Sequence, residues 1–246
     1  MSDAAMGDAK SVVAEEPWDD LDWAATSAAL DEEGYALTPP LLSPAECQRL
    51  IALYDDSERF RSRVIMRRHG FGQGEYQYFA YPLPSVVEAL RTAFYPALAN
   101  IANDWHARLG IDERYPTDHA AYLKRCHDIG QTRPTPLILK YGAGDENRLH
   151  QDLYGALHFP LQLAILLNAP GKDFDGGELV LTEQKPRMQS RVAVVPLAQG
   201  QGVIFPVQHR PGKGTRGYHR LTLRHGVSRI RRGARHTLGI IFHDAA

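Results

Sequence analysis

Residues 137–242 contain seven short apolar stretches separated by glycine-bearing breaks, and this spacing constrains the fold more than any other feature of the chain. Each stretch has the length of a β-strand and is too short for a typical helix. Short strands that recur at such spacing predict an antiparallel sandwich or barrel. The predicted strands are residues 137–141, 161–167, 178–181, 192–195, 202–205, 218–225 and 235–242.

The first half of the chain shows helical patterns. Apolar residues recur three and four positions apart over residues 19–34, 84–109 and 118–129. A further helix, over residues 43–54, has a strong start signal, because Ser43 can cap it and Glu46 completes a capping box. We expect a short strand at residues 35–37. Helices that pack on the outer face of the sheets give an α+β, mainly β fold.

Length and composition indicate one domain behind a short leader. Residues 1–18 are rich in alanine and acidic side chains, so we expect a disordered leader there and a single domain over residues 19–246. No apolar run approaches the roughly 18 residues of a membrane span, and the acidic N-terminus does not resemble a secretory signal. Cys47 and Cys126 lack metal or redox spacing and are expected in the core. We predict a soluble, cytoplasmic protein, and its oligomeric state stays open.

The net charge of −1 conceals an uneven distribution. Residues 1–34 contain ten acidic residues and one lysine, so the remaining 212 residues carry 27 basic and 19 acidic side chains, a net charge of +8. A basic surface attracts anionic ligands, including a nucleic-acid backbone. Basic side chains that only solvate exposed strands would give the same composition, so charge alone does not decide between these interpretations.

Three polar residues have the composition of a metal site. His150 and Asp152 are two residues apart, and on one strand their side chains would point to the same face. His225 ends an apolar row that Leu221 and Leu223 begin on another predicted strand. Two histidines and one carboxylate form the facial triad of non-haem iron(II) oxygenases. Each histidine alone has an alternative role as a core residue, and manganese or zinc would accept the same ligands.

Arg235 strengthens this interpretation because it lies among aliphatic residues ten positions after His225. A connection through residues 226–233 would bring it back near His225, with Thr237 on the same strand face. A buried guanidinium is costly unless an anion binds it, and its planar geometry suits a carboxylate. The sequence therefore predicts metal ligands next to a carboxylate anchor.

The segment from about Tyr95 to the C-terminus resembles a prokaryotic branch of the 2-oxoglutarate/Fe(II)-dependent oxygenase superfamily that is predicted to modify nucleic acids. Its core also resembles alkylated-base repair dioxygenases and prolyl hydroxylases. The resemblance implies a double-stranded β-helix, or cupin-like jelly roll, over residues 131–246, supported by helices in residues 19–130. The matching segments are QTRPTP at 131–136, YGAG at 141–144, HQDLY at 150–154, GGELVLTE at 176–183, RMQS at 187–190, RHGVS at 224–228 and GARHTLGIIFH at 233–243.

The resemblance also implies the site residues and the reaction. His150, Asp152 and His225 would bind iron(II), and Arg235 would bind the distal carboxylate of 2-oxoglutarate. Tyr141 and Thr237 would assist in cosubstrate binding. Such enzymes consume 2-oxoglutarate and dioxygen, release succinate and carbon dioxide, and hydroxylate a substrate. When the hydroxylated carbon is a methyl group on a base nitrogen, formaldehyde is lost and the net reaction is demethylation.

Residues 60–81 are the segment in which we expect substrate recognition. The pattern predicts two strands around a glycine-rich connection, and superfamily members that repair alkylated bases have a nucleotide-recognition lid at a similar position. Arginines can bind phosphates there and aromatic rings can stack on an extruded or single-stranded base. A hairpin that packs on the jelly roll with solvated arginines is the alternative. The candidates are Arg61, Arg63, Arg67, Arg68, Tyr76 and Tyr78, with Phe79 and Tyr81 as further aromatic residues.

Three functions compete at this point. The first is an iron(II)- and 2-oxoglutarate-dependent dioxygenase that acts on nucleic acid and demethylates alkylated bases in DNA repair. The second keeps the chemistry and hydroxylates a prolyl or other amino-acid side chain. The third is a non-catalytic cupin-like module that binds a metal or 2-oxoglutarate. Arg235 argues against the third, because a storage module does not require a carboxylate anchor beside its metal.

Overall fold

Helices and a few strands form the first half of the chain, and strands form the second. The computed structural model describes residues 17–153 and 155–246. The α-helices are α1 (Trp23–Glu32), α2 (Pro44–Leu53), α3 (Ser85–Arg108) and α4 (His119–Asp128). The strands before α3 are β1 (Ala36–Pro40), β2 (Phe60–Ile65), β3 (Gly72–Gln73) and β4 (Glu75–Phe79). Those after α4 are β5 (Leu137–Tyr141), β6 (Glu146–His150), β7 (Leu161–Leu166), β8 (Phe174–Gly176), β9 (Leu179–Gln184), β10 (Arg191–Val195), β11 (Gln201–Pro206), β12 (His209–Gly214), β13 (Gly217–Val227), β14 (Ile230–Gly233) and β15 (Arg235–Ile240).

Two antiparallel sheets face each other. The larger sheet has the strand order β1-β11-β7-β15-β5-β4-β2, and the smaller has the order β10-β9-β13-β6-β3 with β12 paired to β13. Leu179, Leu181 and Val195 of the smaller sheet form one apolar cluster with Val203 and Phe205 of the larger sheet. Strands β8 and β14 form a separate pair. The α+β, mainly β prediction is confirmed.

The central strands of the larger sheet are buried on both faces. On β7, Leu163 and Ile165 belong to the core cluster that includes Phe94 of α3. The alternate residues Gln162 and Ala164 point to the other face and line a cavity between the sheets. Burial on both faces explains why β7 is almost continuously apolar in sequence. The helices therefore cover the outer face of the larger sheet, as predicted.

The four predicted helices are present with small shifts at their ends. The capping box of α2 forms, because the Ser43 hydroxyl accepts from the Glu46 N–H and the Glu46 carboxylate accepts from the Ser43 N–H at 2.8 Å. Helix α1 begins at Trp23 rather than at residue 19, since the Asp22 side chain caps it by accepting from the Ala25 N–H at 2.9 Å. Within the described residues, no helix is both long and apolar enough to span a membrane.

Two features of the N-terminal half refine the predictions. The predicted leader lies outside the described residues except for its last two positions, where Trp18 is 7% exposed and belongs to the core cluster. Ordered packing therefore begins before the predicted boundary at residue 19. Cys47 and Cys126 are buried and do not form a disulfide, as expected.

The segment of residues 60–81 forms a hairpin that extends the larger sheet. Strand β4 pairs with β2 on one side and with β5 on the other. Its connection contains a short 3-10 helix (Met66–His69) and β3, which pairs with β6 of the smaller sheet. The hairpin thus bridges one end of both sheets. Its lid function stays a prediction.

Several strands have no counterpart in the sequence prediction. They lack the apolar alternation on which such predictions depend, since β6 reads ENRLH and β12 reads HRPGKG. The connection through residues 226–233 contains a strand that the sequence did not predict, because β14 forms there and pairs with β8. The strands absent from the prediction are β3, β6, β8, β12 and β14.

Candidate metal centre and cosubstrate pocket

The pairing of β6 with β13 brings the predicted metal ligands together. His150 and His225 are cross-strand partners, and Asp152 follows His150 by two residues. Asp152 Oδ1 lies 3.4 Å from His150 Nε2, and Asp152 Oδ2 lies 3.1 Å from His225 Nε2. One ligand atom from each of the three residues lies within 4.8 Å of the other two. Among the described residues, these three are the group of histidine, cysteine and acidic side chains that can hold a metal ion.

One detail of the predicted geometry is wrong. The prediction that the two side chains point to the same face assumes that both residues lie on one strand, although no strand was predicted there. Strand β6 ends at His150, and Asp152 lies in the connection that follows. The backbone after His150 therefore turns the carboxylate toward both imidazoles. Gln151 stabilises this turn, because its Nε2 donates to the Leu223 carbonyl of β13 at 2.8 Å.

The electrostatics of the cluster favour a bound cation. Burial alone would raise the pKa of Asp152, but the adjacent His225 and His150 outweigh it and hold that pKa well below its usual value. Burial lowers the pKa of His225 more than the carboxylate raises it, so this imidazole is neutral at neutral pH. Burial opposes charge on His150 as well, yet the hydrogen bond and charge of Asp152 raise its pKa. An ionised carboxylate beside imidazoles is a ligand set for a divalent metal.

Arg235 is a buried cation with unused hydrogen-bonding capacity. It begins β15 and is 2% exposed. Its Nη1 donates to Thr237 Oγ1 at 2.6 Å, whereas its Nε has no hydrogen-bond partner. Burial lowers its pKa to about 10, so it stays charged at neutral pH. In the described part of the chain Arg235 makes no ion pair, and a charge in that state requires an anionic ligand.

Strand register places the other cosubstrate candidates beside Arg235. Tyr141 of β5 is its cross-strand partner, and the guanidinium carbon lies 5.8 Å from the tyrosine ring centroid. The fully buried Tyr141 hydroxyl accepts from Asn147 Nδ2 at 3.2 Å. Thr237 is two residues along β15 and faces the same side. Arg235, Tyr141 and Thr237 are therefore brought together as predicted.

The metal ligands and the anchor reach the same cavity from opposite sheets. The sequence predicts that the connection through residues 226–233 returns Arg235 near His225, and the strands that carry the two residues lie in different sheets, since β13 belongs to the smaller sheet and β15 to the larger. Both residues line the cavity between the sheets, together with Asp152 and apolar side chains that include Leu139 and Leu179. A metal held by three protein ligands has open coordination positions, and the Arg235 guanidinium has no ion-pair partner among the described residues. A dicarboxylate that chelates the metal at one end can bind the guanidinium with the other. The residues present therefore fit iron(II) and 2-oxoglutarate.

A family model matches most of the chain, including the residues of this site. Residues 74–245 match a family described as an oxygenase that catalyses oxidative methylation of damaged DNA. The chain belongs to this oxygenase family. The membership confirms the resemblance found in the sequence and the prediction that the protein is an oxidoreductase. The predicted cofactors, iron(II), 2-oxoglutarate and dioxygen, agree with the family and with the His-Asp-His cluster.

Sequence relatives and solved structures are also similar to this chain. Two uncharacterized proteins of Mycobacterium tuberculosis, from strains CDC 1551 and H37Rv, are 49% identical to the oxygenase over 168 residues, which is 68% of this chain and 72% of each relative. A Burkholderia pseudomallei oxidoreductase of the 2OG-Fe(II) oxygenase family is 17% identical with a TM-score of 0.52, over 93% of this chain and 95% of that one. A Pseudomonas putida prolyl-4-hydroxylase is 15% identical with a TM-score of 0.50, over 91% and 99%. These structures show the shared jelly-roll fold.

The predicted substrate residues of the oxygenase separate into two groups. Tyr76 and Tyr78 line the cavity, because they share the inner face of β4 with the cavity residues of β5. The four arginines do not line it. Arg61 donates to the Pro134 carbonyl at 2.8 Å and covers the Tyr78 ring at 4.5 Å, and Arg63 pairs with Glu75. Arg67 and Arg68 are exposed on the 3-10 helix Met66–His69.

The two further aromatic candidates of the hairpin have structural roles. Phe79 is fully buried in the core and stacks on Phe60 with a centroid distance of 4.7 Å. The Tyr81 hydroxyl donates to the Asp244 carboxylate at 3.0 Å and accepts from Arg91 at 3.0 Å. The Phe79 ring is therefore not accessible to a base, and the prediction that it stacks on one is wrong. Tyr81 is 44% exposed and only its hydroxyl is held, so stacking on its ring stays a prediction.

Sequence reasoning missed several side chains of the oxygenase cavity. Gln162 approaches His225, with its Nε2 3.4 Å from the histidine Nε2. Phe205 packs edge-on against the same ring at a centroid distance of 4.9 Å. Phe71 lines the cavity and is 46% exposed, which places it at the opening. The sequence could have indicated Gln162, because it is a lone polar residue between Leu161 and Leu163. It could not have indicated Phe71, whose position depends on the pairing of β3 with β6.

Proposed function

We propose that this oxygenase uses iron(II) and 2-oxoglutarate to hydroxylate alkyl groups on nucleic-acid bases. The observation that carries the proposal is the His150-Asp152-His225 cluster, with Asp152 and His225 buried, in the same cavity as Arg235, whose Nε has no partner. A metal and a carboxylate anchor in one apolar cavity are the minimum that a 2-oxoacid-dependent oxygenase needs. The net reaction converts an N-methyl base, 2-oxoglutarate and dioxygen into the free base, formaldehyde, succinate and carbon dioxide.

The side chains divide the work between them. His150, Asp152 and His225 hold the metal, which supplies the oxidising chemistry when iron, cosubstrate and dioxygen are bound. Arg235 binds the distal carboxylate of 2-oxoglutarate through charge-assisted hydrogen bonds, and Thr237 fixes the guanidinium by accepting from Nη1. The apolar lining excludes water, which strengthens these interactions and limits side reactions.

The aromatic wall of the cavity supports a planar substrate. Tyr76 and Tyr78 both line it, with ring centroids 5.4 Å apart and an interplanar angle of 86°. A base inserted into the cavity can stack on one ring and contact the edge of the other. The family description names damaged DNA, which agrees with this chemistry.

The opening of the cavity supports binding of a nucleic-acid strand. His69 and Phe71 stack with centroids 5.4 Å apart, and the Phe71 carbonyl accepts from the Arg148 N–H at 2.8 Å. Arg67, Arg68 and Arg148 are exposed around this aromatic pair. We call these five residues the rim. Cations beside exposed rings can bind phosphates while bases stack, without sequence preference.

A second candidate function is hydroxylation of a prolyl or other amino-acid side chain. It is favoured by one observation, namely that Arg61, Arg63, Arg67 and Arg68 do not line the cavity, whose walls away from the metal cluster and anchor are mainly apolar and aromatic. The two candidates share the metal and cosubstrate residues, so only the primary substrate separates them.

The test measures formaldehyde and succinate from the iron-loaded enzyme. The substrates are single- and double-stranded DNA oligonucleotides that carry one N-methylated base, with unmethylated oligonucleotides and a proline-containing peptide as controls. We expect both products in equal amounts with a methylated oligonucleotide only, and their loss in His150→Ala. Succinate formation that the peptide stimulates and the oligonucleotides do not would contradict the nucleic-acid proposal and favour the second candidate.

A further inference from the structure

Gln162 is a buried amide at the metal centre without an assigned role. It lies on β7 between Leu161 and Leu163, is 6% exposed, and lines the cavity. Its Nε2 lies 3.4 Å from His225 Nε2, and within the described residues it has no other hydrogen-bond partner. A buried amide in an apolar strand destabilises the fold unless its polar atoms are satisfied. The long contact with His225 satisfies little of this need.

Metal binding removes even this partner. His225 Nε2 is the nitrogen that faces Asp152 Oδ2, at 3.1 Å, so it is the atom that points into the ligand cluster. An imidazole nitrogen that coordinates a metal has neither a proton to donate nor a free lone pair to accept with. The Gln162 amide would then lie unpaired beside the coordination sphere. Its cross-strand neighbour Phe205 packs on the same imidazole and offers no acceptor.

We propose that the Gln162 amide donates a hydrogen bond to the metal-chelating carboxylate of the 2-oxoacid cosubstrate and so positions it on the metal. This inference rests on the proposed function. A carboxylate oxygen on a neighbouring coordination position is a strong acceptor and replaces the lost contact with His225. Gln162 is then a positioning residue for the reacting end of the cosubstrate, as Arg235 is for its other end.

The strand register supports this division between the two ends. Thr237 pairs with Leu166, which is four residues along β7 from Gln162 on the same face. At ~3.3 Å per residue, the backbone of Gln162 lies about 13 Å along the sheet from Thr237 and about 20 Å from Arg235, which is two residues further along β15. The two long side chains and a five-carbon dicarboxylate bridge the distance between Gln162 and Arg235. Gln162 and Arg235 therefore contact opposite ends of one ligand.

Two ligands distinguish binding at the oxoacid end of the cosubstrate from binding at its distal carboxylate. Pyruvate has the same oxoacid group as 2-oxoglutarate and lacks the distal carboxylate. Isothermal titration calorimetry of the manganese-loaded protein with each ligand gives dissociation constants without turnover. We expect Gln162→Leu to weaken both ligands by a similar factor, about tenfold. Arg235→Met should weaken 2-oxoglutarate alone.

Two further variants control for a purely structural effect. Gln162→Glu keeps the shape of the side chain, and its charge should repel the oxoacid and weaken both ligands more than Gln162→Leu does. Gln77→Leu removes another buried glutamine of the larger sheet, whose Nε2 donates to the Tyr54 carbonyl at 2.7 Å away from the cavity. It should leave both dissociation constants unchanged, even where thermal stability falls.

The outcomes are distinguishable. Wild-type dissociation constants for both ligands in Gln162→Leu and Gln162→Glu would overturn the inference and leave the proposed function standing. A loss confined to 2-oxoglutarate, with pyruvate unaffected, would also overturn it, because Gln162 would then act at the distal end. Wild-type protein that binds manganese and neither oxoacid would overturn the proposed function, and this inference with it.

Discussion

His150 and His225 lie opposite each other on β6 and β13, with ring centroids 4.2 Å apart. Their position depends on strand register, since a slip of one residue would turn one imidazole to the other face of the sheet. Gly226 allows the strands to approach at this point, because a Cβ there would lie 2.6 Å from the Asn147 carbonyl oxygen. The metal centre is therefore a product of the pairing between two distant segments.

We predict that a divalent metal stabilises the wild-type protein and fails to stabilise Asp152→Asn. A metal that binds only the folded state adds ~2.7 kcal/mol at a concentration 100 times its dissociation constant. Thermal unfolding with manganese and with chelator measures the difference. Asp55→Asn is the control, since the Asp55 side chain is 86% exposed and should leave the effect intact. Equal stabilisation of Asp152→Asn would show that the metal binds elsewhere.

Arg235→Met should leave the unliganded protein as stable as the wild type or more stable, by up to about 3 kcal/mol. Replacing a buried charge that lacks an ion pair with a hydrophobic side chain removes its desolvation cost. The same variant should bind 2-oxoglutarate about 100-fold more weakly, because the charge-assisted hydrogen bonds are lost. Urea unfolding and calorimetry measure the two effects. A strongly destabilised Arg235→Met protein would mean that the guanidinium has a structural partner instead of a ligand.

Gly177→Ala should disturb the anchor. Gly177 has a φ of +65°, and an added Cβ would lie 2.2 Å from Ile230 Cδ1 and 2.9 Å from Arg235 Cδ. Gly171→Ala is a matched control, since Gly171 has a φ of +78° and a Cβ there meets no atom within 4 Å. We expect Gly177→Ala to cost about 2 kcal/mol more stability than the control and to weaken 2-oxoglutarate binding, because the clash reaches Arg235. Equal losses of stability in Gly177→Ala and Gly171→Ala would mean that the strained backbone conformation, and not a clash with Arg235, causes the loss.

Acid should destabilise the fold through buried neutral histidines. Burial, with Arg91 nearby, lowers the pKa of His119 in the folded protein to about 4, whereas the unfolded value is near 6.5. The unfolded state therefore takes up the proton first, so stability falls as pH drops from 6.5 toward 4, by about 3 kcal/mol for this residue. Burial also lowers the pKa of His236 to about 4 and that of His243 to about 3.

His119→Gln isolates this contribution. The His119 Nε2 donates to the Phe242 carbonyl at 2.9 Å, and a glutamine amide can donate there without titrating. Urea unfolding at several pH values between 7 and 4 should show a shallower pH dependence in His119→Gln than in the wild type. Identical slopes for the two proteins would contradict the assignment to His119.

Substitutions at the rim should separate stacking from charge. Phe71→Ala should weaken binding of single-stranded DNA about tenfold at every salt concentration, since base stacking is worth ~1–3 kcal/mol. Arg148→Ala should lower the slope of log affinity against log salt by about 0.7, the value for one phosphate contact on a single strand. Arg49→Ala, on α2 with a side chain 71% exposed, is the control. Fluorescence anisotropy measures the DNA affinity of all three variants. An unchanged salt slope in Arg148→Ala would mean that Arg148 does not contact the DNA backbone.

Much of the fold was predictable from local patterns. Helices α2 and α3 follow from a capping signal and from apolar spacing, and β7 from a continuous apolar run. The metal ligands were found from the spacing of His150 and Asp152, from the position of His225 at the end of an apolar row, and from the family resemblance. Arg235 was found because a cation among aliphatic residues needs a partner.

The remainder depended on tertiary pairing that local patterns do not contain. Strand β14 forms within the connection between His225 and Arg235, and these two residues line the cavity from different sheets. Arg61 and Arg63 were predicted to bind substrate, but they find partners within the protein. Composition cannot distinguish a cation that awaits a phosphate from one that a carbonyl or carboxylate already satisfies.

The most direct test of the account is a crystal structure with manganese and an inert oxoacid analogue of 2-oxoglutarate. We predict a metal bound by His150 Nε2, a carboxylate oxygen of Asp152 and His225 Nε2, with the distal carboxylate of the analogue on Arg235. A metal on other residues, or an analogue whose distal carboxylate lies away from Arg235, would contradict the account.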